Sequence, residues 1–146
     1  ERPEERPECH APHLLKCKDG WKLIYGPVEM RCASYDPNFY LKHRTVLFID
    51  ESSARDPFVF YENGVWHLFY CVQNRIQMRT SEDFVNWSDA VVVQVNPFRN
   101  AESESPFVMK RGDFYYLFWT IFDGRNGAYD WRTFVFAAEN LKGLSS

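Results

Sequence analysis

Apolar positions in this chain come in short runs rather than in helical stripes. Each run is interrupted by a turn and followed by a stretch rich in aromatic residues. The first is His10-Ala11-Pro12-His13-Leu14-Leu15, which turns at Asp19-Gly20 into Trp21-Lys22-Leu23-Ile24-Tyr25. The second is Arg55-Asp56-Pro57-Phe58-Val59-Phe60, which turns at Asn63-Gly64 into Val65-Trp66-His67-Leu68-Phe69-Tyr70. The third is Glu104-Ser105-Pro106-Phe107-Val108-Met109, which turns at Arg111-Gly112 into Phe114-Tyr115-Tyr116-Leu117-Phe118-Trp119. Asn-Gly and Asp-Gly between apolar runs are strong hairpin signals, because they supply the backbone a tight turn demands. No 3.6-residue periodicity is sustained, so the pattern predicts an all-β chain.

The pattern is also periodic on a longer scale. Pro12, Pro57 and Pro106 recur after 45 and then 49 residues. A third strand repeats as well: Met30-Arg31-Cys32-Ala33 matches Met78-Arg79-Thr80-Ser81, and Phe136 to Leu141 echoes Arg79 to Phe84. Fourth strands fit Thr45 to Ile49 and Ala90 to Val95. Four strands in a period of about 40–50 residues is the signature of a β-propeller blade. Residues 10–53, 54–101 and 102–146 are therefore expected to be three consecutive blades, the last with three strands. Residues 1–9 read as a Pro- and charge-rich linker or a cut end. Propellers close with about four to eight blades. Three blades predict either a piece of a longer protein or self-association, with missing blades supplied by another segment.

Composition narrows the partners. Of the 146 residues, 18% are aromatic, which suits strands and lends itself to sugar surfaces. The net charge is −3 and there is no basic stripe, which argues against nucleic acid. No apolar run approaches the ~18 residues a membrane helix requires, and no signal peptide is visible. The four cysteines contain no CxxC pair, so a zinc site is not indicated. Cys9, Cys17 and Cys32 are close enough in sequence for one disulfide, but buried free thiols explain them equally well.

The chemistry-bearing residues sit where each innermost strand begins, near the central channel of a propeller. These are His10 and His13, Arg55 and Asp56, and Glu102 and Glu104. Two carboxylates facing one pocket are the minimum equipment for glycoside hydrolysis, one as proton donor and one ionised.

The sequence resembles the five-bladed propeller glycoside hydrolases of families 43 and 32. The resemblance covers nearly the whole chain after residue 9. It rests on His10-Ala11-Pro12-His13, Arg55-Asp56-Pro57, Met78 to Trp87, and Glu104-Ser105-Pro106-Phe107 with Lys110 to Leu117. It implies blades similar to the second, third and fourth of that fold. By resemblance, Glu104 is the general acid and Asp56 orients it and adjusts its protonation. Arg55, His10, His13, Glu102 and Trp131 become candidate substrate contacts. The base or nucleophile would belong to a blade not represented in this sequence. No redox cofactor is implied, and no metal ligand set is visible. The implied substrates are arabino-, xylo- or fructo-linked oligo- or polysaccharides, which would suggest secretion. Inversion and retention depend on a carboxylate separation of about 6.5–9.5 Å or about 5–5.5 Å.

Asp36-Pro37-Asn38 resembles a nucleophile motif of family 32, but it follows a third strand rather than opening a blade. It is read as a turn. Trp21, Trp66 and Trp119 are expected to pack between blades, and Trp87 to close a turn. The Gly-containing stretch 123–130, with Tyr129 and then Trp131, is long enough to border a pocket. The competing reading for the whole chain is a non-catalytic propeller segment that binds carbohydrate or protein.

Overall fold

A computed structural model describes residues 10–50, 54–98, 101–122 and 131–144. The expected leader, and the stretch at 123–130 with Tyr129, lie outside the described residues. Among the described residues, eleven strands form three antiparallel sheets. The first holds β1 (His10–Cys17), β2 (Gly20–Gly26), β3 (Glu29–Tyr35) and β4 (Leu41–Ile49) in sequence order. The second holds β5 (Arg55–Glu62), β6 (Val65–Val72), β7 (Arg75–Ser81) and β8 (Val91–Val95), again in order. The third holds β9 (Glu102–Arg111), β10 (Phe114–Phe122) and β11 (Trp131–Ala138), and a 3-10 turn at Leu141–Leu144 follows. Each sheet is thus a meander, the topology of a propeller blade.

The sheets stack face to face, with β1 against β5 and β5 against β9. Two cores result. Between the first and second blades lie Ile24, Met30 and Cys32 against Val59, Leu68 and Tyr70. Between the second and third lie Phe69, Cys71 and Ile76 against Val108, Leu117 and Trp119. Alternation along β6 explains both: Leu68 and Tyr70 point one way, Phe69 and Cys71 the other, and all four are fully buried. Each such side chain contributes about 1.5–3 kcal/mol of burial.

Polar ties reinforce the stack. Between the first and second blades, the Tyr70 hydroxyl donates to Asp50 Oδ2 (2.8 Å) and accepts from Arg79 Nε (3.0 Å). Burial and the Asp50 carboxylate together push the Tyr70 phenol well above its usual range, so it stays protonated. Between the second and third blades, Lys110 Nζ donates to Glu62 Oε1 (2.8 Å) and to the Tyr115 hydroxyl (2.7 Å).

Asp36 closes a turn, as the sequence suggests. Its Oδ1 accepts the backbone N–H groups of Asn38 and Tyr40, both at 2.9 Å. Trp66 and Trp119 pack at the blade interfaces as expected, and Trp87 packs on Phe84 and Phe48. Register places Trp21 and Trp66 at the same strand position, whereas the third blade has Tyr115 there. Cys17, Cys32 and Cys71 are free thiols. Among the described residues no helix is long and apolar enough to cross a membrane.

Candidate active site

The three innermost strands begin alike. In each, pairing with the next strand slips just at the X-Pro step, between His10 and His13, between Arg55 and Phe58, and opposite Phe118/Thr120 for β9. The residue before each proline adopts a left-handed backbone: Ala11 (φ 49°), Asp56 (φ 54°) and Ser105 (φ 51°). Such a conformation costs non-glycine residues roughly 1–3 kcal/mol and clusters at functional sites. Asp tolerates it better than most side chains. The three bulges converge on one open cleft of about 290 Å³, lined by the Ala11-Pro12-His13, Asp56-Pro57-Phe58 and Ser105-Pro106-Phe107 steps.

Asp56 is buried, with 8% of its surface exposed. Its Oδ2 accepts the backbone N–H of Ser105 at 3.0 Å, across the blade boundary. The carboxylate therefore holds the Glu104-Ser105-Pro106 bulge in place. Glu104 is half-buried and lies opposite Thr120 in β10. The Cys71 thiol, wholly buried, lies close enough to feel both. Burial pushes the thiol up strongly; the nearby Asp56 and Glu104 charges add to this, while Arg55 and a backbone hydrogen bond from Ser105 oppose it. The thiol therefore stays neutral.

Arg55 is also buried and reaches into the third blade. Its guanidinium donates to Glu102 Oε2 (2.5 Å) and to the Ser103 carbonyl (3.3 Å). The structure thus brings Arg55 and Glu102 together as an ion pair, with Glu102 the more exposed member. His13 lines the cleft and burial lowers its pKa, favouring the neutral ring. His10 opens β1 opposite Gly26. Trp131 stands apart from the cleft: it pairs with Phe122, which pairs with Glu102, so it is two strands outward on the same end of the blade. Its ring packs at a tilt of 38° against Phe122, with ring centres 4.7 Å apart.

Sequence reasoning missed an aromatic row. The residue after each proline contributes a ring: His13 meets Phe58 edge-on at 4.9 Å, and Phe58 meets Phe107 edge-on at 4.9 Å. The signal was available, since all three occupy one position of the repeat. It was obscured because Phe in an apolar run reads as core. Among the described residues no group of three or more His, Cys, Asp or Glu could hold a metal ion.

No protein-family profile matches the sequence, and no curated protein does. Solved structures do. An exo-1,5-alpha-L-arabinanase from a bovine ruminal metagenomic library superposes with a TM-score of 0.75 at 17% identity, over 97% of this chain and 55% of that one. This chain has a β-propeller fold. The propeller segment also matches the alpha-L-arabinanase of Penicillium chrysogenum, solved with arabinobiose (TM-score 0.69, 10% identity, 93% of this chain and 48% of that). The endo-arabinase of Bacteroides thetaiotaomicron matches at a TM-score of 0.66 and 14% identity, over 92% and 58%. The segment spans about half the length of the first solved structures it matches. At such identities the likeness is one of fold. The same blades thus recur in glycoside hydrolases and in this chain.

Proposed function

We propose that this chain is the acid-bearing portion of a propeller glycosidase that cleaves furanoside or pentoside linkages in arabino-, xylo- or fructo-type oligosaccharides. The observation that carries the reading is the Asp56–Ser105 hydrogen bond at 3.0 Å, inside a cleft built by three blades. Glu104 protonates the glycosidic oxygen as the bond to the anomeric carbon breaks. Asp56 positions it by anchoring the adjacent backbone through the Ser105 N–H. An ionised carboxylate from outside this sequence activates water or attacks the anomeric carbon. Arg55, Glu102 and His10 serve as sugar-hydroxyl partners, with Trp131 farther out. His13, Phe58 and Phe107 offer ring surface to sugar C–H groups. The solved arabinanases of the same fold support the substrate class. A polymeric substrate would place the enzyme outside the cell.

Product analysis on arabino-, xylo- and fructo-oligosaccharides tests the reading. With the segment that supplies the second carboxylate present, the unmodified protein should release shorter sugars, and Glu104→Gln should lose about 10²–10⁴ of that rate. Equal rates in the two would remove Glu104 from the acid role. The aromatic row supports a second reading, carbohydrate binding without cleavage, since ring stacking requires no carboxylate. Saturable oligosaccharide binding with no products from either protein would favour it.

A further inference from the structure

Glu104 belongs to the third blade, but the second blade holds the backbone on both sides of it. Pairing between β9 and β10 slips between Glu104 and Phe107, which face Thr120 and Phe118, and Ser105 and Pro106 have no register partner in β10. A bulge of this kind interrupts the ladder, and Pro106 has no N–H to offer it. Groups of the second blade bind the backbone instead. On one side of Glu104, the Gln73 carbonyl accepts the Ser103 N–H at 3.0 Å, and Arg55 donates to the Ser103 carbonyl at 3.3 Å. On the other, Asp56 Oδ2 accepts the Ser105 N–H at 3.0 Å, and the Cys71 thiol also takes a hydrogen bond from the Ser105 backbone. Arg55 adds its ion pair with Glu102. Two consecutive residues of β5 thus flank Glu104, one on each side.

The first blade carries different residues at these positions. Ala11 stands at the position of Asp56, and His10 at that of Arg55. Ala has no side-chain acceptor, yet the first and second blades share an apolar core all the same. Stacking of blades therefore does not call for an Arg-Asp pair at this step. We propose that Arg55 is a positioning residue for Glu104: besides any sugar hydroxyl it meets, it fixes the acid by gripping the Ser103 carbonyl and the Glu102 carboxylate. The inference rests on the acid role given to Glu104 above.

Burial and chemistry suit Arg55 to this task. Its side chain is 10% exposed, against 58% for Glu102. A guanidinium is always charged, and its rigid fork can serve a carboxylate and a carbonyl at once. A general acid works only within hydrogen-bond reach of the oxygen it protonates. A misplacement of about 1 Å can cost about 100-fold in rate. Loss of Arg55 would release the backbone on one side of Glu104 while Asp56 still holds the other.

Leaving-group dependence tests this, with the segment that supplies the second carboxylate present. A dinitrophenyl glycoside departs as a stable phenolate and requires no proton, whereas an oligosaccharide does. Arg55→Met should lose about 10- to 100-fold in kcat on the oligosaccharide and less than about threefold on the dinitrophenyl glycoside. Arg55→Lys keeps the charge opposite Glu102 but not the fork; it should fold normally and show the same bias at smaller amplitude. Equal losses on the two substrates overturn the inference and leave Arg55 a sugar contact alone. Glu104→Gln is the control for the glycosidase reading: it should show the same bias, and equal losses there remove the acid role itself. Native-state hydrogen exchange on this chain supplies a readout without hydrolysis. Arg55→Met should speed exchange of the Ser103 and Ser105 N–H groups by about tenfold or more, with Leu68 and Leu117 unchanged. Unaltered exchange at Ser103 and Ser105 overturns the grip whatever the enzyme assays show.

Discussion

Asp56 combines a strained backbone with a structural hydrogen bond, and the two contributions can be separated. Asn tolerates a φ of 54° and can still accept the Ser105 N–H through its side-chain oxygen. Ala can do neither. Asp56→Ala should therefore lower the free energy of unfolding by about 1–3 kcal/mol, and Asp56→Asn by less than about 1 kcal/mol, measured by urea denaturation. Equal losses would mean that the negative charge, rather than the bond, secures the bulge. His13 gives the site a pH dependence. Burial lowers its folded-state pKa from the ordinary 6.5, so the unfolded chain takes up the proton first. Stability should fall as pH drops through about 6.5 and level off below the folded-state value. Burial lowers His67 in the same direction, with Glu62 opposing. Urea midpoints between about pH 7.5 and about pH 5.5 should show the decline, and His13→Gln should flatten it.

At the scale of elements, the periodicity of the sequence carries through to hydrogen-bond register. Phe136 was matched to Arg79 by sequence echo, and their neighbours Val135 and Met78 indeed lie opposite Phe118 and Phe69. The turns that follow are built alike: Asp83 Oδ1 accepts the N–H of Asn86, and Asn140 Oδ1 that of Gly143. Strand starts were legible because Pro and Gly punctuate them. Two features were not. The left-handed residue before each proline leaves no compositional trace, since Ala, Asp and Ser share nothing else. Close approach between blades is equally silent until distances exist. Gly26 illustrates this: a Cβ there would meet the Ala54 carbonyl oxygen at 2.4 Å, backbone that cannot swing aside. Gly26→Ala should cost about 1–3 kcal/mol through overpacking. Gly64, with φ +85° and open space around it, should lose only about 1 kcal/mol as Ala. Thermal denaturation of the two variants checks the ranking.

At the scale of the molecule, the middle blade differs from its neighbours in having both faces covered. Along β6, Leu68 to Val72 are all buried, whereas β4 and β11 are exposed at most positions. The amide groups of β6 can exchange with solvent only if an adjacent blade leaves or the whole stack unfolds. Those of β4 and β11 require only local opening at an outer edge. Blades that touch only their neighbours form a nearly one-dimensional array, in which stability sums over units and interfaces. Native-state hydrogen exchange should then rank β6 slowest, with β4 and β11 faster by orders of magnitude. Uniform protection across all three sheets at low concentration would mean that the blades unfold as a single cooperative unit. In that case the Asp50–Tyr70–Arg79 and Glu62–Lys110–Tyr115 networks, which cross the two boundaries, would be what couples them.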